Sequence, residues 1–420
     1  MIGAARAVDL LSRRELTAEG LVEQCLSRIA EREPAVQAWE VLDADGALRE
    51  ARQIDGLRER PPLCGLPVGI KDLIDTSDLP TAYGSPIYRG HRPAADAECV
   101  RALRWAGAVV LGKTVTTEFA VYSPGKTRNP RDPSRTPGGS SSGSAAAVAD
   151  GMVPLALGTQ TAGSVVRPAS FCGVIGWKST FGALPMAGVR PMAPSLDTLG
   201  FFVRELEDVP VALSALGAPL RPRPPESRPV FGLCKTETWD RAEPSTRSAV
   251  EAAAARLQRA GLEVREVQLG ASFAGLVDAQ IAIMGAEAAA SLRFELEQRS
   301  SELSPRLREF LQTGRAVPAE RLQAARERAE RCRAELDAIF VGVSALLTTA
   351  AGGEAPLGVS ATGDPLFCRI WTLLHTPCVS LPVLRGPAGL PLGLQLVGPR
   401  GRDEILFAAA ERACGAMLEG

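Results

Sequence analysis

Histidine is nearly missing: the 420 residues hold two, His91 and His375. A serine–histidine–aspartate hydrolase would have to use one of them, and most metal sites would want more than one. His91 lies in the polar run 88–93 and reads as an exposed loop residue. His375, inside the apolar stretch 371–379, reads as packed or hydrogen-bonded rather than as a base. Cysteine has no framework pattern: there are nine, an odd number, with no C-x-x-C pair. That excludes a disulfide scaffold or a zinc site and points to a reducing compartment. Neither sign of charge dominates, with 47 basic and 48 acidic residues for a net charge of −1. Nothing therefore steers the chain toward nucleic acid or anionic lipid. No run reaches the roughly 18–20 apolar residues of a membrane span, and residues 1–16 scatter charge where a signal peptide has an apolar core. The expected location is the cytoplasm.

What is present is enough apolar residue, 45%, to bury a large core. Apolar strands alternate with helices that end in glycine, the pattern of an α/β sheet. Residues 1–60 predict an N-terminal helical segment packed on the core, with helices from Thr17 to about 32, stopped by Pro34, and over 38–53. Residues 61–420 continue a single overall domain. Strands are expected at 66–70, 108–111, 152–157, 174–177, 199–203, 230–234, 262–269, 345–349, 377–383 and 392–397. Helices are expected at 142–150, 244–260 and 403–418, after Asp96 as a cap, and almost throughout 272–339. The proline-rich 221–229 is the strongest linker signal.

The chain is organised around residues 136–173, where two Ser/Gly-rich knots, 138–144 and 158–164, flank an Ala-rich helix and a short strand. Glycine lets the backbone take positive φ and be approached closely, so paired knots indicate a site. Gly139–Gly143 fits the nucleophile-elbow pattern, with Asp364 and His375 in the right order, but no buried strand precedes it. Ser123 and Lys126 fit S-x-x-K, yet Pro124-Gly125 breaks the helical turn that pairing needs. No Lys-Ser or Lys-Thr follows 138–144, which argues against a phosphate loop. Serine chemistry without histidine remains. It needs another base, and a lysine serves only when burial keeps it neutral. Lys71, ending the apolar run 66–70, is placed for that role; by spacing alone it is equally an ordinary lysine at a strand end.

Residues 138–144 and 158–173, together with Gly69-Ile70-Lys71-Asp72, resemble the amidase signature family, with further similarity at 195–200 and 362–382. The resemblance covers most of the chain. It implies a central twisted mixed β-sheet covered by helices on both faces and a Ser–Ser–Lys mechanism without metal or organic cofactor. By position, Ser164 matches the nucleophile, Lys71 the base and Ser140 the bridging serine, which follows a cis peptide in the family. Ser141 is expected to help hold Lys71. The amides of Thr161, Ala162, Gly163 and Ser164 match the oxyanion hole.

Departures from the family pattern concern the substrate. Ser142 and Ala162 replace glycines, and Gln160 stands where many members carry an aspartate able to pair with the arginine matching Arg167. Gln160 and Arg167 are thus the expected substrate-binding residues, with Arg167 free for a substrate carboxylate or else structural. The similarity is strongest to malonamidase-type members, whose arginine holds the free carboxylate, although Cys368 and His375, both candidates for the acyl pocket, depart from them. The expected activity is cleavage of small amides to carboxylate and ammonia, favouring amides such as malonamate. Ureido or general aliphatic and aryl amides stay open. So does a different role, as the amidase subunit of a tRNA-dependent amidotransferase, against which near-neutral charge and compact length weigh. The expected partners are a small amide and a second copy of the chain, with no nucleic acid or membrane.

Overall fold

The structure, a computed structural model, describes residues 2–221 and 228–418. The eleven strands among the described residues join one sheet: β1 (Trp39–Leu42), β2 (Pro67–Lys71), β3 (Val109–Thr114), β4 (Leu155–Gln160), β5 (Ile175–Lys178), β6 (Thr198–Val203), β7 (Val230–Cys234), β8 (Glu263–Val267), β9 (Ala345–Thr349), β10 (Cys378–Arg385) and β11 (Pro391–Val397). Their order is β1-β3-β2-β4-β6-β5-β10-β11-β9-β7-β8. Parallel pairs β2/β3, β2/β4, β7/β8 and β7/β9 sit among antiparallel ones, so the sheet is mixed. Fourteen α-helices among the described residues cover it. The strands β2, β3 and β4 are buried at every position, which is why each opens with an apolar run even though polar residues close it.

Several expected boundaries move for identifiable reasons. The helix Ala18–Val36 passes through Pro34 and ends two residues later, so proline occupies its last turn rather than stopping it. The stretch 38–53 opens with β1, which pairs antiparallel with β3 before Asp43 caps the helix Ala44–Asp55 through the Gly46 amide. Asp96 is no cap: it accepts from Ser77 and pairs with Arg104, while the helix Glu98–Trp105 begins without a side-chain cap. The strand expected at 152–157 starts at Leu155, after Pro154, a residue that cannot donate to a central ladder. The linker signal at 221–229 falls largely outside the described residues.

Residues 272–339 form the helices Leu276–Ser291, Arg293–Gln298, Pro305–Arg315 and Ala319–Ile339. The stretch Ala271–Ser291 is long and apolar enough to cross a bilayer by composition, a point that counting unbroken apolar residues misses; 56% of its most apolar window is buried within the fold. The buried carboxylate of Glu295 fastens this layer to the rest by accepting from Tyr88 Oη and Arg190 Nη2. All nine cysteines are free.

Candidate active site

Strand β2 carries Lys71 at its C-terminal end, between β3 and β4, with no solvent exposure. Its Nζ lies 2.7 Å from Ser140 Oγ and 2.7 Å from Thr159 Oγ1. No carboxylate among the described residues pairs with it. Burial therefore dominates and pushes the ammonium down to about 7, opposed only by the more distant charge of Asp197. A second buried lysine, Lys113 on β3, points elsewhere: it donates to the Ile74 carbonyl and to Thr76 and Thr81, with Asp72 at 3.7 Å.

Ser140 follows a cis Gly139–Ser140 peptide, and the helix Ser142–Ala149 starts two residues later. Close packing fixes that start. A Cβ on Gly143 would lie 2.2 Å from the Ala38 carbonyl oxygen and 2.4 Å from the Val115 nitrogen, so only glycine fits. Ser141 does not touch the Lys71 ammonium as expected. Its hydroxyl donates to the Thr159 carbonyl and accepts from the Thr159 amide, and Thr159 contributes its own hydroxyl to Lys71.

Residues 161–164 form the turn between β4 and the helix Val166–Cys172. Their four amides donate to no protein acceptor among the described residues, a row of free N–H groups directed by neighbouring contacts. The Thr161 hydroxyl donates to Asp197 Oδ1 at 2.5 Å, the Thr161 carbonyl accepts from Gln280 Nε2, and the Ala162 carbonyl accepts from Thr372 Oγ1. Cys368 and Pro365 wall Gly163, each 3.1 Å from where a Cβ would stand.

A cavity of about 50 Å³ is shared by Ser140, Thr161, Ala162, Ser164, Arg167 and Arg369, with Met192 and Met284 among its apolar wall. A wider groove beside the exposed Trp105 is remote from these groups and has neither Lys71 nor the site serines in its wall. Arg167 is buried without a carboxylate partner among the described residues, and desolvation lowers its guanidinium to about 10, helped by repulsion from Arg369. It donates instead to neutral oxygens: Gly363 O at 2.9 Å, Gly139 O at 2.5 Å and Thr362 Oγ1 at 3.3 Å. Among the described residues no group of three or more His, Cys, Asp or Glu is placed to hold a metal ion.

The family model described as Amidase matches residues 20–407. The chain belongs to the amidase family. It is 33% identical to a glutamyl-tRNA(Gln) amidotransferase subunit from Symbiobacterium thermophilum, with 98% of this chain and 96% of that one aligned. The corresponding protein of Chloroflexus aggregans is 34% identical over 92% and 91%. Among solved structures, one described as an amidase matches with a TM-score of 0.89 and 31% identity, covering 100% of this chain and 99% of the other. The native peptide amidase of Stenotrophomonas maltophilia matches at 0.84 and 28%, covering 99% and 96%. This amidase is a hydrolase of amide C–N bonds.

One expected substrate contact in the amidase is corrected. Gln160 has no exposure and does not reach the cavity: its Oε1 accepts from the Val165 and Val166 amides, and its Nε2 donates to Thr372 Oγ1. The neutral carboxamide thus serves as the cap of the helix Val166–Cys172. Neither Cys368 nor His375 lines the cavity. Cys368 is buried behind Gly163, and His375 stacks on Phe181 with Nε2 2.9 Å from the Ser195 carbonyl oxygen. Burial and the nearby Arg333 drive the His375 imidazole down to about 3, so it stays neutral. Gln280 is a neighbour of the site that the sequence did not disclose, while Thr159, Arg369 and Thr372 lie inside stretches covered by the resemblance but were given no role there.

Proposed function

We propose that this amidase cleaves small primary amides through Ser164, Ser140 and Lys71, favouring substrates with a carboxylate near the scissile amide. The observation that carries the mechanism is the buried Lys71, held down to about 7 and 2.7 Å from Ser140 Oγ. Neutral Lys71 takes the Ser140 proton while Ser140 takes that of Ser164, whose oxygen adds to the amide carbonyl. The free amides of Thr161, Ala162, Gly163 and Ser164 meet the oxyanion. The proton returns along the same relay to the leaving nitrogen, ammonia departs, and water activated in the same way cleaves the acyl-enzyme. The substrate reading rests on a cavity wall with two guanidinium groups and no carboxylate. A buried cation without a counter-ion favours a ligand that brings one.

Ammonia release from malonamate and from propionamide, with Ser164→Ala as blank, tests the substrate. A malonamate preference of roughly ten- to a hundredfold in kcat/KM is expected, the scale of one hydrogen bond to a charged group. Equal rates, or preference for propionamide, would leave a general amidase. Silence on both turns attention to ureido and aryl amides.

The pH profile tests the base. Only neutral Lys71 accepts a proton, so kcat/KM should rise with pH through about 7 and then level. Asp197 raises the Lys71 value, so Asp197→Asn should move that rise to lower pH. A rise that stays put in the variant would exclude Lys71 as its origin.

A second reading is the amidase component of a tRNA-dependent amidotransferase. It is favoured by the glutamyl-tRNA(Gln) amidotransferase relatives, and compact length does not separate the two, since the chain aligns with 96% of the Symbiobacterium protein. Efficient turnover of small amides by the isolated chain supports the first reading; ammonia release that appears only with partner subunits supports the second. The homodimer belongs to the first reading and is checked by the mass of the purified chain in solution.

A further inference from the structure

The two cavity arginines differ in what they have left to offer. A guanidinium carries five N–H donors. Arg167 uses three of them on Gly363 O, Gly139 O and Thr362 Oγ1, and its Nε is sealed from solvent without a partner. One N–H remains, and the plane of the group is fixed by three contacts. Arg369, from the helix Leu366–Leu373, also lines the cavity and lacks a carboxylate partner among the described residues. Among the described residues it makes one hydrogen bond, Nη1 to Gln280 Oε1 at 2.5 Å, and its Nε and Nη2 have no partner there yet are not sealed as Arg167 Nε is.

We infer that Arg369, rather than Arg167, is the principal donor to the carboxylate of the substrate's acyl part, with Arg167 supplying fixed charge and a single N–H. This deepens the substrate reading above and rests on it. A forked contact needs two adjacent free N–H groups in one plane, which Arg369 has and Arg167, tied at both terminal nitrogens, does not. The same geometry bounds the ligand. Ser164 and Arg369 line the same cavity of about 50 Å³, the space of a few water molecules, so a small acyl part is the ligand that fits between the nucleophile and this arginine. Gln280 links the two ends, accepting from Arg369 and donating to the Thr161 carbonyl, so an anion seated on Arg369 is one hydrogen-bonded residue from the oxyanion turn. Arg167, by contrast, holds the carbonyl just before Ser140. Its removal disturbs the bridging serine and cannot by itself report on carboxylate binding.

The test compares kcat/KM for malonamate and propionamide in the wild type, Arg369→Met and Arg369→Lys. The readout is the ratio of the two substrates, not either rate alone. A wild-type preference for malonamate that drops at least about tenfold in Arg369→Met, chiefly through KM, and is partly kept by Arg369→Lys is the expected result. A ratio unchanged in Arg369→Met, or both substrates falling in proportion, would overturn the inference while leaving the carboxylate preference in place. A wild type without preference overturns both. If Arg369→Met does not fold, as judged by its melting curve, the Lys variant decides alone, since it keeps the charge and loses the fork. If neither amide is turned over, calorimetric titration of malonamate and propionamide into Ser164→Ala, with and without Arg369→Lys, gives the same comparison without chemistry. There, equal affinities, or a malonamate advantage untouched by the second substitution, count against Arg369.

Discussion

Ser164→Ala should lower ammonia release by about 10³-fold or more, Lys71→Met should do the same, and the double variant should be little worse than either. The reason is that in the proposed mechanism the groups act as one relay. On that mechanism Lys71 acts only through Ser140, because among the described residues its Nζ is within hydrogen-bond reach of Ser140 and Thr159 alone and is sealed from solvent. Once the nucleophile is gone, loss of the base costs nothing further. Independent contributions would instead multiply, and a double variant slower than the singles by their product would break the relay. Stability is a useful companion readout. Lys71→Met removes a desolvated amine from a fully buried position, so its melting temperature should hold or rise while activity collapses.

The largest structural effect is expected at Gly143. A methyl group there would penetrate the Ala38 carbonyl and the Val115 amide, both backbone atoms of segments that flank the sheet, and neither can swing aside as a side chain would. Gly143→Ala should cost about 3 kcal/mol or more, above the usual range for overpacking because the obstacle is backbone. Activity should fall with it, since Gly143 lies three residues after Ser140. Gly415→Ala is the contrast: it lies in the helix Asp403–Leu418 with no atom within 4 Å of the added carbon, and should hold or raise the melting temperature. Equal melting temperatures for the two variants would contradict the packing described around Ser140.

The groups proposed to react could be singled out because local sequence announces them. Two glycine-rich knots and a lysine at the end of an apolar run are short-range patterns, and the resemblance they carry assigned Lys71, Ser140 and Ser164 their positions. What surrounds those groups was not legible, for two reasons. Gln160 was read through a missing charge, as the neutral substitute that frees Arg167. In the fold, two helix amides compete for its oxygen and win, a choice set by the turn that follows it. Gln280 reaches the site from a helix that nothing near it in sequence marks, whereas Arg369 and Thr372 lie within 362–382, where the resemblance extends but assigns them no role, because their contacts are set by the tertiary fold. The boundary errors have the same character. β1 exists because β3 offers it an edge, and the helix around Pro34 runs on only to Val36, forgoing the one hydrogen bond that the proline nitrogen cannot donate.

The layer formed by residues 272–339 has a consequence for modularity. It looks detachable, a run of helices laid over a sheet, and would invite grafting from one homologue to another as a way of changing what the enzyme accepts. Yet Gln280 holds the Thr161 carbonyl, Met284 forms part of the cavity wall, and Glu295 anchors Tyr88 and Arg190. The cover is also scaffold. A transplanted layer must therefore bring a matching carboxamide at position 280, or the recipient inherits a new roof over a turn that has lost its alignment. Drift in this region and drift in the serine-rich turn are coupled, and recombination points that separate them should be rare among active chimeras.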